Sequence, residues 1–144
     1  MPLPSIIFLL RYIEMSIYAV LLMMFWMHVV DDFFIQSQWL VNGKQKSWWE
    51  ENAPQTQYRY DYIMCLFVHG MSWVISVMIP PILTGYAEIH PIDIALIVFM
   101  GIFHAIIDHR KANKFEMNLI SDQCMHFIQI MFLWAIYVAY PALY

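Results

Sequence analysis

Four apolar stretches, each close to a bilayer core in length, leave this chain few folds to choose from. A hydrocarbon layer of about 30 Å takes roughly 17–25 residues of helix and tolerates no unpaired backbone polar group. The stretches cover residues 13–36, 62–83, 92–108 and 122–143, the third being short, with residues 5–10 as an apolar lead-in. Composition agrees: the chain is 62% hydrophobic and 12% charged, against roughly 45–50% and about 25% in ordinary soluble domains. The reading is an all-α, polytopic membrane protein, a four-transmembrane-helix bundle that forms one integral membrane domain over residues 1–144. The opening MPLPSIIFLLRYIEM lacks the basic leader and cleavage pattern of a secretory signal and reads as the start of a retained helix.

The charges are segregated. Lys44, Lys46 and Arg59 lie between the first two stretches, Arg110, Lys111 and Lys114 between the last two, and only Arg11 elsewhere. With four antiparallel helices those two linkers share a side. The positive-inside rule makes that side cytoplasmic and puts both termini on the non-cytoplasmic side of a bacterial inner membrane. Trp48, Trp49, Tyr58, Tyr60 and Tyr62 stand where an interfacial aromatic belt would be. The seven Lys and Arg form no basic stripe, which argues against nucleic acid as a partner. Cys65 and Cys124 both lie in apolar segments and do not suggest a disulfide framework. Pro80-Pro81 is expected to end or kink the second helix.

Within this apolar chain the polar residues follow helix direction. The first and third stretches run inward and carry His28-x-x-x-Asp32 and His104-x-x-x-Asp108; the fourth runs outward and carries the reverse, Asp122-x-x-x-His126. Residues at i and i+4 share a helical face and stand about 6 Å apart along the axis. The expected result is a deep layer of His28, His69, His104 and His126 beneath a shallower layer of Asp32, Asp108 and Asp122. Ionisable groups within membrane spans are costly and commonly face the bundle interior. Neutral imidazole and carboxylate together suit a divalent transition metal such as Zn, Mn, Fe, Co or Ni. Seven donors exceed what one tetrahedral ion needs and suggest two ions. A proton-wired cluster without metal, or simple helix-end polarity, is the alternative. Asp31 is i+3 from His28 and could replace or join Asp32; it is the spare candidate for a catalytic base beside Asp32 and Asp108. Gln36 and Gln123 read as groups that hydrogen-bond the ligands.

The motifs H-x-x-x-D-F-x-x-Q at 28–36, an N-x-K-x-K-like stretch at 42–46, His69, H-x-x-x-D-x-x-K at 104–111 and D-Q-x-x-H at 122–126 occur in that order. This pattern resembles a family of small integral membrane proteins of unknown function found in bacteriophages and bacteria, over residues 25–140. It is also similar in style to small membrane-bound metal-dependent hydrolases of bacteria. The segment SWWEENAPQTQYRY is longer than that family leads one to expect.

Three functions are compatible with these features. The first is a membrane-embedded metal-dependent hydrolase acting on a lipid-linked or membrane-anchored substrate. In that reading Lys44, Lys46, Arg110 and Lys111 hold an anionic head group, unless they serve topology alone. The second is proton or metal-ion transport, which would need association into a homo-oligomer. The third is a non-catalytic, phage-encoded membrane effector that binds a protein partner and uses the metal as a staple. Membrane lipids are partners in every case.

Overall fold

The computed structural model describes residues 16–141. Among them are six α-helices: α1 (Ile17–Val30), α2 (Gln38–Gly43), α3 (Lys46–Asn52), α4 (Asp61–Leu83), α5 (Pro91–Ala112) and α6 (Leu119–Trp134). Helix α1 continues as a π-helical segment, Asp31–Ile35, and α6 as a second, Ala135–Ala139. Taken with these extensions, α1, α4, α5 and α6 are long and apolar enough to cross a membrane. Residues 13–15 and 142–143 of the expected stretches lie outside the described residues.

Each long helix turns one stripe inward at helical spacing. The α1 stripe is Val20, Met24 and His28, followed by Asp31. On α5 it is Met100, Gly101, His104, Ile107 and Asp108, and on α6 Asp122, His126, Gln129, Ile130 and Leu133. Helix α4 is the hub: more than half of its span is buried, against about a quarter of each of the others. Leu22, Trp26, Phe99, Ile128 and Phe132 are exposed on the outer faces. Apolar side chains on that face suit a lipid solvent.

The expected ends meet. Asn113, just after α5, accepts from the Lys46 backbone N–H at 2.6 Å and donates to the Lys44 carbonyl at 2.9 Å, so the two basic linkers lie at one end of the bundle. At the other end, Trp134 Nε1 donates to the Ile17 carbonyl at 2.9 Å and the Tyr137 hydroxyl to Asp93 Oδ1 at 3.0 Å.

Three expectations change in detail. The third stretch is not short: α5 runs for 22 residues, because His109, Arg110 and Lys111 stay helical, and the charge of Arg110 and Lys111 opposes the partial negative charge of a helix C-terminus. The first polar linker contains two short helices, α2 and α3, with the Ser37 hydroxyl capping α2 at the Leu40 N–H. Helix α4 runs through Pro80 and Pro81 and stops two residues later, where the Thr84 N–H and hydroxyl both bond the Pro80 carbonyl. Cys65 and Cys124 are both free thiols.

Candidate metal centre

A close helix contact frames the centre. Where α4 crosses α5, Gly70 lies against Gly101: a Cβ on Gly70 would stand 2.2 Å from the Gly101 carbonyl oxygen. Small residues allow helix backbones to approach in this way. His69 and His104, one and three residues along from these glycines, are thereby brought to 3.2 Å between their Nε2 atoms. The four imidazoles form a continuous row across the four long helices. Ring centroids are 5.1 Å apart from His69 to His104, 4.1 Å from His104 to His126, and 5.5 Å from His126 to His28. All four rings are buried.

Carboxylates surround this row. His69 Nε2 lies 3.3 Å from Asp32 Oδ1 and 3.4 Å from Asp108 Oδ2. His126 Nε2 lies 3.4 Å from Asp108 Oδ1 and 3.4 Å from Asp122 Oδ1. Two overlapping groups could each hold an ion: Asp32, His69 and His104, and His104, Asp108 and His126, each with its donor atoms within 4.8 Å of one another. His104 belongs to both.

These spacings can be compared with those of a hydrogen-bonded cluster and of a coordination site. Charge-assisted hydrogen bonds are usually about 2.7–2.9 Å long. Tetrahedral ligands bonded at about 2.0–2.1 Å stand about 3.3–3.4 Å from one another. The four His–Asp separations above fall on the second value. Asp32 Oδ1, His104 Nδ1, Asp122 Oδ1 and His126 Nε2 are, moreover, buried without any hydrogen-bond partner. Each such atom costs about 1–3 kcal/mol. Asp32 Oδ1 lies 3.3 Å from His69 Nε2, and Asp122 Oδ1 lies 3.4 Å from His126 Nε2, so unpartnered atoms adjoin both groups that could hold a cation.

The residues behind the donors hold them in place. Asp31 does not face the centre: its Oδ1 accepts from the Ser72 and Ser76 hydroxyls at 2.8 and 2.9 Å, and its Oδ2 lies 3.7 Å from His69 Nδ1. It thus stands behind His69, whose Nε2 points inward, in the place where a carboxylate commonly supports a metal-bound histidine. Gln129 does the same for His126, with Oε1 3.4 Å from Nδ1 while its Nε2 donates to the Met100 carbonyl.

His28 is in the row but in neither donor group. Trp73 Nε1 donates to its Nδ1 at 2.7 Å, and since an indole N–H only donates, His28 Nε2 carries the proton given to Gln123 Oε1 at 2.9 Å. Gln123 Nε2 in turn donates to Asp122 Oδ2 at 3.2 Å, linking His28 to the rim of the centre. Both ring nitrogens of His28 are engaged, although Asp32 Oδ2 lies only 3.7 Å from Nδ1. Gln36 ends the π-helical segment after Asp32, with its Nε2 buried and unpartnered.

The four cations expected to meet an anion all have acidic partners. Lys44 Nζ is 2.6 Å from Asp108 Oδ2 and Lys111 Nζ 2.6 Å from Asp122 Oδ2. Lys46 pairs with Glu50 at 3.3 Å and Arg110 with Glu116 at 2.8 Å, both exposed and away from the centre.

Residues 20–143 match a family described as protein of unknown function, DUF3307. The chain belongs to this family. Its membership agrees with the resemblance to an uncharacterised family. No curated protein and no solved structure matches.

Trp73, Ser72, Ser76 and Gln129 are absent from the sequence reading of the site. A signal existed for three of them: Ser72, Trp73 and Ser76 lie three, four and seven residues after His69, on its helical face. Trp73 is fully buried and stacks on His104 with centroids 4.3 Å apart. Trp73→Phe keeps a stacking ring but leaves His28 Nδ1 without its donor. It is expected to lower stability in detergent by about 1–3 kcal/mol, read from thermal unfolding; an unchanged midpoint would mean that His28 finds another partner.

Proposed function

We propose that this chain is a membrane-embedded metal-dependent hydrolase, with its centre near the cytoplasmic face of a bacterial inner membrane, acting on a lipid-linked or membrane-anchored substrate. The observation that carries the reading is the set of buried, unpartnered donors at coordination spacing, with one edge reachable from outside. That edge is Asp108, which belongs to a donor group and lines a cleft of about 330 Å³. A purely structural metal site tends to be closed and saturated, whereas a catalytic one keeps access for water and substrate.

In this reading two divalent ions, from among Zn, Mn, Fe, Co and Ni, are held by Asp32, His69, His104, Asp108 and His126, with Asp122 adjoining. Bound there, such ions supply a water acidified towards neutrality and a Lewis acid for the scissile oxygen. Asp108, which is buried but lines the cleft, is the carboxylate placed to take a proton from the attacking water. Asp31 positions His69 and is too far back to act on a substrate. The two basic linkers face the cytoplasm by the positive-inside rule.

Transport fits less well. Beyond the histidine row, Val20, Met24, Val74, Val77, Met78, Ile130, Leu133 and Val138 pack into a dry core. Among the described residues no ladder of ionisable groups crosses this layer to Asp93 at the far end.

The test uses the full chain in detergent, loaded with metal and freed of excess, against phosphate-ester and acyl-ester lipids. Hydrolysis is expected to stop on chelation and to fall by about 10²–10⁴-fold in Asp108→Asn, with helical content unchanged. A purified chain that takes up no transition metal, or an Asp108→Asn variant with full turnover, would remove this reading.

A further inference from the structure

The cleft over Asp108 has features that the metal centre alone does not require. Lys44 and Lys111 both line it, each with its ammonium on a carboxylate of the centre. Gln36 lines it too, and its Nε2 donor is buried with no partner. Val41, Ala112 and Phe115 are the apolar part of the wall and Gln45 adds a second amide, its Nε2 3.5 Å from the Val41 carbonyl, so the groups there that can bind an anion are two ammoniums and two amides.

Charge balance says when they would do so. Asp31, Asp32, Asp108 and Asp122 are buried or nearly so, and two lysines face them. With neutral imidazoles this leaves two negative charges, which one divalent ion cancels. A second ion leaves two positive charges in a place where unbalanced charge is expensive. Ions held on Asp108 Oδ1 and Asp122 Oδ1, the oxygens that face His126, also neutralise the carboxylates on whose Oδ2 atoms the ammoniums rest. A dianion in the cleft restores neutrality, and both lysines are already at its walls.

Resting on the two-ion centre proposed above, we infer that the cleft is a phosphate-group site assembled by metal loading. Lys44 and Lys111 exchange their carboxylates for phosphate oxygens, and Gln36 Nε2 supplies a further hydrogen bond. The substrate class is then a phosphate monoester, whose dianionic end matches the two excess charges.

The test titrates inorganic phosphate by calorimetry into the full chain, metal-free and metal-loaded, in nanodiscs of phosphatidylcholine with or without phosphatidic acid. Phosphate binding only to the loaded protein is expected. The Lys44→Gln/Lys111→Gln variant should keep its metal, held no more weakly than in the parent because the competing ammoniums are gone, and lose phosphate affinity by about tenfold or more. Gln36→Leu, which disturbs no carboxylate, should lose a smaller part. Competition from phosphatidic acid would assign the phosphate to a lipid; binding without competition would assign it to a soluble ester, and either supports the site. Loaded protein that binds no phosphate, or binds it equally well without the two lysines, overturns the inference and leaves the metal centre standing. Failure to load metal overturns the centre itself and this site with it.

Discussion

His104→Ala is expected to cost the protein at least one ion, while His28→Gln leaves both in place. The contrast follows from geometry. His104 belongs to both donor groups, and its Nδ1 is among the buried atoms with no partner. His28 spends Nδ1 on Trp73 and Nε2 on Gln123. Cobalt(II) is a useful probe because tetrahedral nitrogen and oxygen ligation gives it a strong visible absorption. The parent chain, loaded in detergent and freed of excess, should hold about two equivalents, the number proposed for two adjoining sites. In His104→Ala the stoichiometry should drop by at least one equivalent and the affinity of the lost ion fall by more than about 100-fold, beyond the effect of losing a supporting hydrogen bond. In His28→Gln the stoichiometry should survive. Equal loss in both variants would return His28 to the ligand set and mean that the Trp73 bond yields to metal. Retention of both ions in His104→Ala would show that the metals lie elsewhere.

That His28 and His104 part company was not legible in the sequence, although their motifs are alike. His-x-x-x-Asp specifies a face and a depth, and the bundle brings all four imidazoles to one level. What the motif omits is the neighbour on the next helix. Trp73 reads as one more apolar residue of its span, yet its N–H satisfies the imidazole of His28. The backbone at Asp31 is a second gap. An i+4 rule asks which of Asp31 and Asp32 faces inward; the π-helical segment begins at this pair, and both carboxylates turn inward, Asp31 to Ser72 and Ser76, Asp32 to His69. Such wide turns are common at functional sites. The lysines show a third limit. Counting basic residues per linker treats them as markers of side, but α5 runs on to Ala112, so Lys111 stays helical and reaches Asp122 on α6. The four apolar stretches and the reversed motif on α6, by contrast, needed no tertiary knowledge, because lipid and helix periodicity alone enforce them.

Gly70→Ala is expected to be the most damaging single methyl that can be added to the bundle. Its Cβ would meet the Gly101 carbonyl oxygen at 2.2 Å and the Ala105 backbone nitrogen at 3.3 Å. Both are backbone atoms, which cannot turn aside, so α4 and α5 must separate by about an ångström. Overpacking of this kind costs about 1–3 kcal/mol, occasionally more. The effect on the centre should exceed the effect on stability. His69 and His104 sit on the two helices being forced apart, and metal sites hold their ligand distances to within about 0.2 Å. Gly101→Ala provides the control: there the nearest atom to the added Cβ is Met71 Sδ at 2.7 Å, the flexible end of a side chain, with the Gly70 carbonyl oxygen at 3.2 Å. Helical content and thermal midpoint in detergent, measured beside cobalt uptake, separate the outcomes. Gly70→Ala should remain helical, melt earlier and take up little cobalt; Gly101→Ala should keep most of both properties. Normal uptake by Gly70→Ala would mean that the crossing is looser than 3.2 Å between His69 and His104 requires, and that the donors are not held by this contact.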